Sequence, residues 1–421
     1  MIIALGAIGM TLLLLVLRQP LLVVLLAIVA YLRLVWGRGD LTYIIDDLWR
    51  GIDKEVILSV PLFILCGAVM TRGSIAERLI RIMVSLTSPL PGGLAVATIL
   101  SCAVFAAISG SSIVTMLAVG SVMYPALLKN GYGNTFSLGA ICAGGTLGII
   151  IPPSIPMILY GIVTEASVTD LFISGIGPGI LLTVVLAGYS LIVNRKLAVR
   201  AWDLREIGEA IRRGIWAALM PVILLGGIYS GYFTATEAAA VALAYALLVE
   251  VLIHRELRFR DFYGVVLETS KLGGSLFPVL ACALSFNLLL TEERVPNMLV
   301  EWMTGAIESP AAFMIGVNVM LLAVGCLMDT SSAILVLAPL LAPMAEAYGY
   351  SKVVFGIIMI LNLEIGYLTP PVGLNLIVAM SAFKQPFGTL CRAAVPFILL
   401  MLACLFLVIW QPWIAMYLVG S

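Results

Sequence analysis

The stretch GTLGIIIPPS (residues 145–154) decides how this chain folds. Its two consecutive prolines, Pro152 and Pro153, follow Gly144, Gly145 and Gly148 inside a long apolar run. Proline has no N–H, and its ring clashes with the preceding turn, so a helix entering this stretch must break. The surrounding composition places that break in lipid. Of 421 residues, 62% are hydrophobic and only 11% charged, against about 25% charged in soluble domains. Mean hydropathy is +1.14. Backbone groups freed at bilayer depth find no water, so a break here needs partners of its own.

Apolar runs near the length that crosses a bilayer, about 17–25 residues, recur throughout. They cover 2–17, 20–36, 56–72, 94–109, 112–128, 134–166 (broken), 170–194, 215–231, 235–253, 264–290, 311–328, 331–345, 351–383 (broken) and 392–417. The pattern is that of an all-α polytopic membrane protein. No positive charge precedes Arg18, so the first run reads as a retained span and not a signal peptide. Net charge is zero, which offers nucleic acid no electrostatic hold. The seven cysteines, at 66, 102, 142, 282, 326, 391 and 404, sit singly in apolar segments and suit packing. The sequence has no CxxC, and its one histidine, His254, lies in a basic loop. It also lacks GxxxxGK[ST], so no ATP-binding module powers its work.

The polar segments differ in sign. RKLAVRAWDLREIGEAIRR (195–213) holds six Lys/Arg against three acids, and HRELRFRD (254–261) three Arg against two; TEER (291–294), Glu301 and Glu308 are mainly acidic. Positive loops stay in the cytoplasm, which puts 195–213 and 254–261 inside and 291–308 outside. TATE (234–237) is a capping box, so Glu237 has a local role.

Pro-Pro occurs twice, at 152–153 and 370–371, and Ser-Ser twice, at 111–112 and 331–332. A shift of 218 residues pairs Pro125 with Pro343, Gly131-Tyr132 with Gly349-Tyr350, and Gly148 with Gly366. ISGSSIVTM…GTLGIIIPPS and MDTSSAILV…LEIGYLTPPV are therefore two copies of one unit. Each reads as a re-entrant helical hairpin with a polar tip, followed by a broken transmembrane helix. Counting spans from the basic loops puts the base of the first hairpin in the cytoplasm and that of the second outside. Inverted-topology repeats of this kind mark secondary transporters with a midplane site. A broken helix frees carbonyls at one half-helix end and presents N–H groups at the other. With the hairpin tips this gives two oxygen-rich sites suited to a hard monovalent cation.

At these residues the sequence resembles the large membrane (M) subunit of the tripartite ATP-independent periplasmic (TRAP) transporters. The likeness spans essentially the whole chain and includes PLFILCGAVMTRGSIAERL (61–79), FAAISGSSIVT, GGTLGIIIPPSIPMILYG, YFTATEAAAVALAYALL (232–248), MDTSSAIL and LTPPVGLNL. The hairpin-plus-break units also resemble the wider ion transporter superfamily. The resemblance implies a Na⁺-driven elevator in the bacterial inner membrane. Its substrate would be an organic acid, a C4-dicarboxylate or sialic acid for example, delivered by a periplasmic substrate-binding (P) protein. A small four-helix membrane (Q) subunit would complete the scaffold, and both partners must be separate chains. The expected organisation is scaffold helices at 1–90, the first repeat at 91–194, an interfacial arm and scaffold helices at 195–308, the second repeat at 309–390, and a final helix at 391–421.

Within that frame the first Na⁺ site is expected at Ser109, Gly110, Ser111, Ser112, Gly144, Gly145, Thr146 and Gly148, up to the break at Pro152 and Pro153. The second is expected at Asp329, Thr330, Ser331, Ser332, Gly366 and Thr369, beside Pro370 and Pro371. For any single Ser or Thr the plainer reading is a hydrogen bond back to its own helix. Asp329 stands alone in apolar sequence, where a carboxylate is costly and usually functional. Aligning the Ser-Ser pairs sets it opposite Ser109, and it is assigned to substrate or its Na⁺, with Ser109 and Ser154 facing it. Asn362, Glu364, Asn375 and Lys271 are secondary candidates, and 47–55 reads as an interfacial helix. Both termini are expected in the periplasm. A stand-alone sodium–carboxylate symporter is the alternative. An intramembrane enzyme would need paired catalytic groups such as GxGD aspartates or HExxH. The sequence has no HExxH, and its one GxGD match, GRGD at 37–40, lies between the apolar runs 20–36 and 56–72 and not inside one. A channel would normally need no inverted repeats.

Overall fold

The computed structural model describes residues 2–17, 19–36, 42–197 and 201–419. Arg18, the first positive charge of the chain, and the C-terminal Ser421 lie outside the described residues. Helices α1 (Ile2–Val16) and α2 (Leu21–Val35) lead to α3 (Thr42–Ile52), then α4 (Ser59–Arg72) and α5 (Ile75–Thr87). A first hairpin, α6 (Gly93–Ser109) and α7 (Ser112–Lys129), precedes the broken helix α8 (Asn134–Ile150) and α9 (Ile155–Thr164); α10 (Val168–Val193) follows. Helix α11 (Leu204–Tyr229) pairs with α12 (Ala235–Leu247), which runs into a π-helical turn at Leu248–Ile253. Next come α13 (Phe259–Glu292) and α14 (Val295–Ala306). The second hairpin is α15 (Pro310–Gly325) and α16 (Thr330–Ala347), and the second broken helix is α17 (Lys352–Tyr367) and α18 (Leu374–Phe383). The chain ends in α19 (Phe387–Trp410) and the short α20 (Trp413–Met416). Among the described residues, nine helices are long and apolar enough to cross a membrane, or ten if a bent pair counts as one span.

The element order of the second half reproduces that of the first. Helices α7 and α16 both have 18 residues and lie 218 positions apart. Helices α9 and α18 both have 10 and lie 219 apart. Both Pro–Pro bonds are cis. Helix α19 lies 219 positions after α10 and is of similar length, so it belongs with the second half and not apart from it.

Four local expectations need correction. The arm from Leu204 onward and the span after it form one 26-residue helix, α11, which Asp203 caps at its start and which continues through Pro221. The acidic segment 291–308 contains α14, which starts with Val295 and Pro296 in its first turn and is bent 119° from α15. The amphipathic α5 (IAERLIRIMVSLT) answers to no expected span, its apolar residues being spaced along one face. The final span ends at Trp410, not 417, with Gln411 and Pro412 following.

The core forms around the first broken helix, whose 31-residue stretch Asn134–Thr164 is 94% buried in its most apolar window. Helices α6, α7 and α19 pack on α8. The two halves also exchange elements: α9 packs on α16, and α18 on α7. On the other side α4 packs with α12, α5 with α11, and α13 with α2, α3 and α4. One ion cluster ties three of these together. Arg33 of α2 reaches Asp47 of α3 at 2.7 Å and Glu292 of α13 at 2.9 Å. Asp47, in the segment 47–55 expected as an interfacial helix, is the buried carboxylate of this cluster.

Candidate functional site at the hairpin tips and proline breaks

Helix α6 ends at Ser109 because Gly110 adopts the left-handed conformation, φ 61°, open to glycine at little cost. Ser111, in extended conformation, then starts α7. Across from this tip, α8 stops before Pro152, and Ser154 caps α9 by accepting the Met157 N–H at 3.4 Å. The Ile155 N–H donates to the Gly110 carbonyl at 3.3 Å, closing the tip onto the break. The second unit repeats this closure, with the Gly373 N–H donating to the Cys326 carbonyl at 3.3 Å. Backbone freed by the prolines thus meets backbone freed by the hairpin.

At the first tip Ser109, Gly110, Ser111 and Gly148 come together. The Ser109 hydroxyl shares a hydrogen bond with the Thr115 hydroxyl at 2.6 Å and donates to the Ser111 carbonyl at 3.4 Å. Thr115 was not expected here; lying one helical turn after Ser111 was the signal that could have found it. Gly148 faces the Ser111 carbonyl and Thr115 Oγ1, and Gly145 faces the Ser112 carbonyl, where a Cβ would stand 3.2 Å away. Two expected members are elsewhere. Thr146 donates back to the Ala143 carbonyl at 2.6 Å and faces Met401 of α19. Gly144 packs against Cys102, mid-way along α6. Thr146, two residues from Gly148, is turned about 200° away to another face of α8. Gly144 lies on the face of Gly148 but one turn earlier, level with the middle of α6 and not with its tip.

At the second tip the Asp329 carboxylate accepts the Ser332 N–H at 2.8 Å, capping α16. The Tyr367 hydroxyl, also unexpected, accepts the Thr330 N–H at 2.7 Å. Gly366 abuts the Gly325 backbone, where a Cβ would stand 2.5 Å from its carbonyl carbon. Thr369, just past the end of α17, donates back to the Ile365 carbonyl at 2.8 Å. No side-chain hydrogen bond among those described involves the Ser331 hydroxyl, and none joins Asp329 to Ser109 or Ser154. Asp329 begins α16 as Ser111 begins α7, so its repeat mate is Ser111 and not Ser109. The Ser-Ser alignment is two residues out of register with the helices. The breaks also differ: Pro152 and Pro153 are buried, while Pro370 and Pro371 are exposed.

Of the secondary candidates, Asn362 donates to Asn318 Oδ1 at 2.7 Å and Asn375 to the Ser112 hydroxyl at 2.6 Å. Two cavities near 650 Å³ lie away from the tips, one at the base of the first hairpin beside Glu77 and Arg81, the other between α15, α17 and α19.

Comparison with known proteins follows the same outline. Residues 8–414 match the model of the tripartite ATP-independent periplasmic transporter, DctM component. The C4-dicarboxylate TRAP transporter large permease protein DctM of Pseudomonas aeruginosa is 42% identical over 86% of this chain and 85% of its own. The isethionate TRAP transporter permease protein DctMQ of Oleidesulfovibrio alaskensis is 38% identical over 91% of this chain and 61% of its own. Among solved structures, the Alcanivorax borkumensis YdaH transporter superposes with a TM-score of 0.70 at 15% identity, over 96% of this chain and 99% of that one. The last likeness is one of fold. With a family model covering almost every residue from the first helix to the last, this multi-pass membrane protein belongs to the TRAP transporters, as their large permease subunit.

Proposed function

We propose that this permease couples uptake of an organic acid across a bacterial inner membrane to Na⁺. A periplasmic substrate-binding protein delivers the substrate, and a small membrane subunit completes the scaffold. The observation that carries the reading is the paired closure of tip onto break, Ile155 to Gly110 and Gly373 to Cys326, each at 3.3 Å. These closures surround the tips with hydroxyl and carbonyl oxygens, donors that suit a hard monovalent cation. One Na⁺ site takes Ser109, Gly110, Ser111, Gly145 and Gly148 with Thr115. The other takes Asp329, Thr330, Ser331, Ser332, Gly366 and Thr369, and Asp329 lies closest to substrate. The two relatives' names specify C4-dicarboxylate and isethionate, so an organic anion is the class proposed.

An inverted arrangement is supported by how hydrogen bonds sort. Ends expected inside bond one another: Asn134 to Gln385, Trp202 to the Leu86 carbonyl, Arg78 to Glu256. Ends expected outside do likewise: Tyr160 to the Lys352 carbonyl, Asn287 to the Val163 carbonyl, Arg33 to Glu292. Each tip bonds the middle of a broken helix and not its end, which suits hairpins that enter and return. Both termini then fall in the periplasm. The interlocked halves, 91–194 and 309 onward with α19, make up the moving elevator body. The remaining helices at 1–90 and 195–308 form the scaffold.

Uptake by the reconstituted permease, with its small subunit and binding protein, tests this under a sodium gradient, a proton gradient or neither. Sodium alone should drive it, with a sigmoidal dependence. Equal uptake on a proton gradient alone contradicts the mechanism.

A further inference from the structure

The two halves are stitched together by side chains at one buried point. Asn375 of α18 donates its amide hydrogen to the Ser112 hydroxyl of α7 at 2.6 Å. The Glu364 carboxyl of α17 lies beside both. Glu364 and Asn375 are 0% exposed and Ser112 is 1% exposed. Yet three oxygens of this cluster lack a hydrogen bond of full geometry, both carboxyl oxygens of Glu364 and the side-chain oxygen of Asn375, although the Ser112 hydroxyl and the Asn375 amide stand beside the carboxyl. No Lys, Arg or His pairs with Glu364 among the described ion pairs. A buried polar atom left unpaired is costly, and a buried carboxylate without a counter-charge is more costly still. Nothing among the described residues provides that counter-charge. The first half holds Thr146 at the matching position, 218 residues earlier, with its hydroxyl bonded locally, so the feature belongs to one repeat only.

We propose that Glu364, Asn375 and Ser112 form a cation site of their own, taking a dehydrated Na⁺ at the junction of the two halves. Carboxylate, amide and hydroxyl oxygens are the donors such an ion requires. Its charge neutralises Glu364, and it gives the orphaned oxygens a partner. Ser112 therefore serves this junction and not the first tip. The site rests on sodium as the coupling ion and adds one ion to those at the tips. Its contacts come from α7, α17 and α18, so occupancy fastens hairpin one to broken helix two. The carrier body then crosses the membrane without a bare carboxylate in its core.

The test is equilibrium binding of radioactive ²²Na⁺ to the purified permease complex, with thermal melts over a sodium series. Glu364→Gln keeps the shape and removes the charge. It should bind one fewer Na⁺ per permease chain than wild type, while Ser111→Ala keeps the Glu364 ion. Asn375→Ala leaves the carboxyl in place and covers the case of a misfolded Glu364→Gln. It should weaken one class of site by about tenfold, the worth of one ligand to a charged group. An unchanged count in Glu364→Gln, or unchanged affinities in Asn375→Ala, overturns the proposal while sodium coupling stands. A wild type that binds no Na⁺ overturns both.

Discussion

Gly148→Ala places a methyl group where the first tip meets the broken helix. The new Cβ would run into the Ser111 carbonyl oxygen, stand 2.5 Å from Thr115 Oγ1, and lie 2.8 Å from the Ser111 carbonyl carbon. Two of these atoms are backbone, so relief requires moving the tip and not merely turning a side chain. Overpacking of this kind costs about 1–3 kcal/mol, and a collision with backbone belongs at the upper end. If the tip must return to this geometry to hold its ion, about 2–3 kcal/mol raises the half-saturating sodium concentration roughly 30- to 150-fold. Gly366→Ala repeats the experiment at the other tip, where the Cβ would stand 2.5 and 2.6 Å from Gly325 backbone atoms. Gly188→Ala, in α10 with nothing within 4 Å, is the control and should be neutral or slightly stabilising, since alanine is the better helix former. Sodium-dependent melting of the purified complex and sodium titration of uptake are the readouts. A Gly148→Ala permease with wild-type sodium affinity refutes the placement of an ion at that tip.

Three further outcomes are expected. Asp329→Asn keeps the cap on Ser332, because Asn serves that position as well as Asp, so melting is unchanged. Uptake falls about ten- to hundredfold on losing a charged ligand, and wild-type uptake by this variant contradicts the role. Ser111→Ala and Ser331→Ala each remove one oxygen worth about 1 kcal/mol, raising the sodium requirement about fivefold in uptake titrations. His254, facing Ser74, Arg78, Glu250 and Glu256, is held below its usual range first by burial and then by the charge of Arg78. The folded state therefore binds fewer protons than the unfolded one, and stability present above about pH 6.5 is lost as pH falls. Melts from pH 8 to 5.5 should show this loss and Gln in place of His254 should flatten it; an equal slope in His254→Gln removes His254 as the cause.

Much of the fold was legible because its punctuation is rare. Two Pro-Pro pairs and two Ser-Ser pairs in order fixed both breaks and both hairpins, since proline acts on its own turn and needs no distant partner. Charge told less. The acids at 291–308 pointed to a loop, yet Pro296 and a face of Val295, Leu299 and Met303 begin a helix there. Matching dipeptides misled at the second tip, where helix starts and not Ser-Ser set the register. The Asn375–Ser112 bond joins residues 263 positions apart. Nothing local to α18 announces which helix it will face, so Asn375 and Glu364 stood out in the sequence only as secondary candidates, with no partner named. Thr146 shows the converse: it carries the right chemistry but sits on the wrong face of α8.

The exchange of half-helices between the two units bears on how such a protein could be divided. Because α9 is seated on α16 as well as on α10, and α18 on α7 as well as on α19, each unit lacks part of the surface that covers its own second half-helix. A fragment ending in the 195–203 segment would expose the flank of α9 that α16 covers, and a fragment starting at α11 would uncover the flank of α18 that α7 covers. Each would fold fully only by meeting the other fragment or a second copy of itself. Co-expressed fragments split in that segment should therefore reassemble into a working carrier, while either alone should not persist. A single-unit forerunner would have faced the same demand, and a dimer of two oppositely inserted copies would have met it.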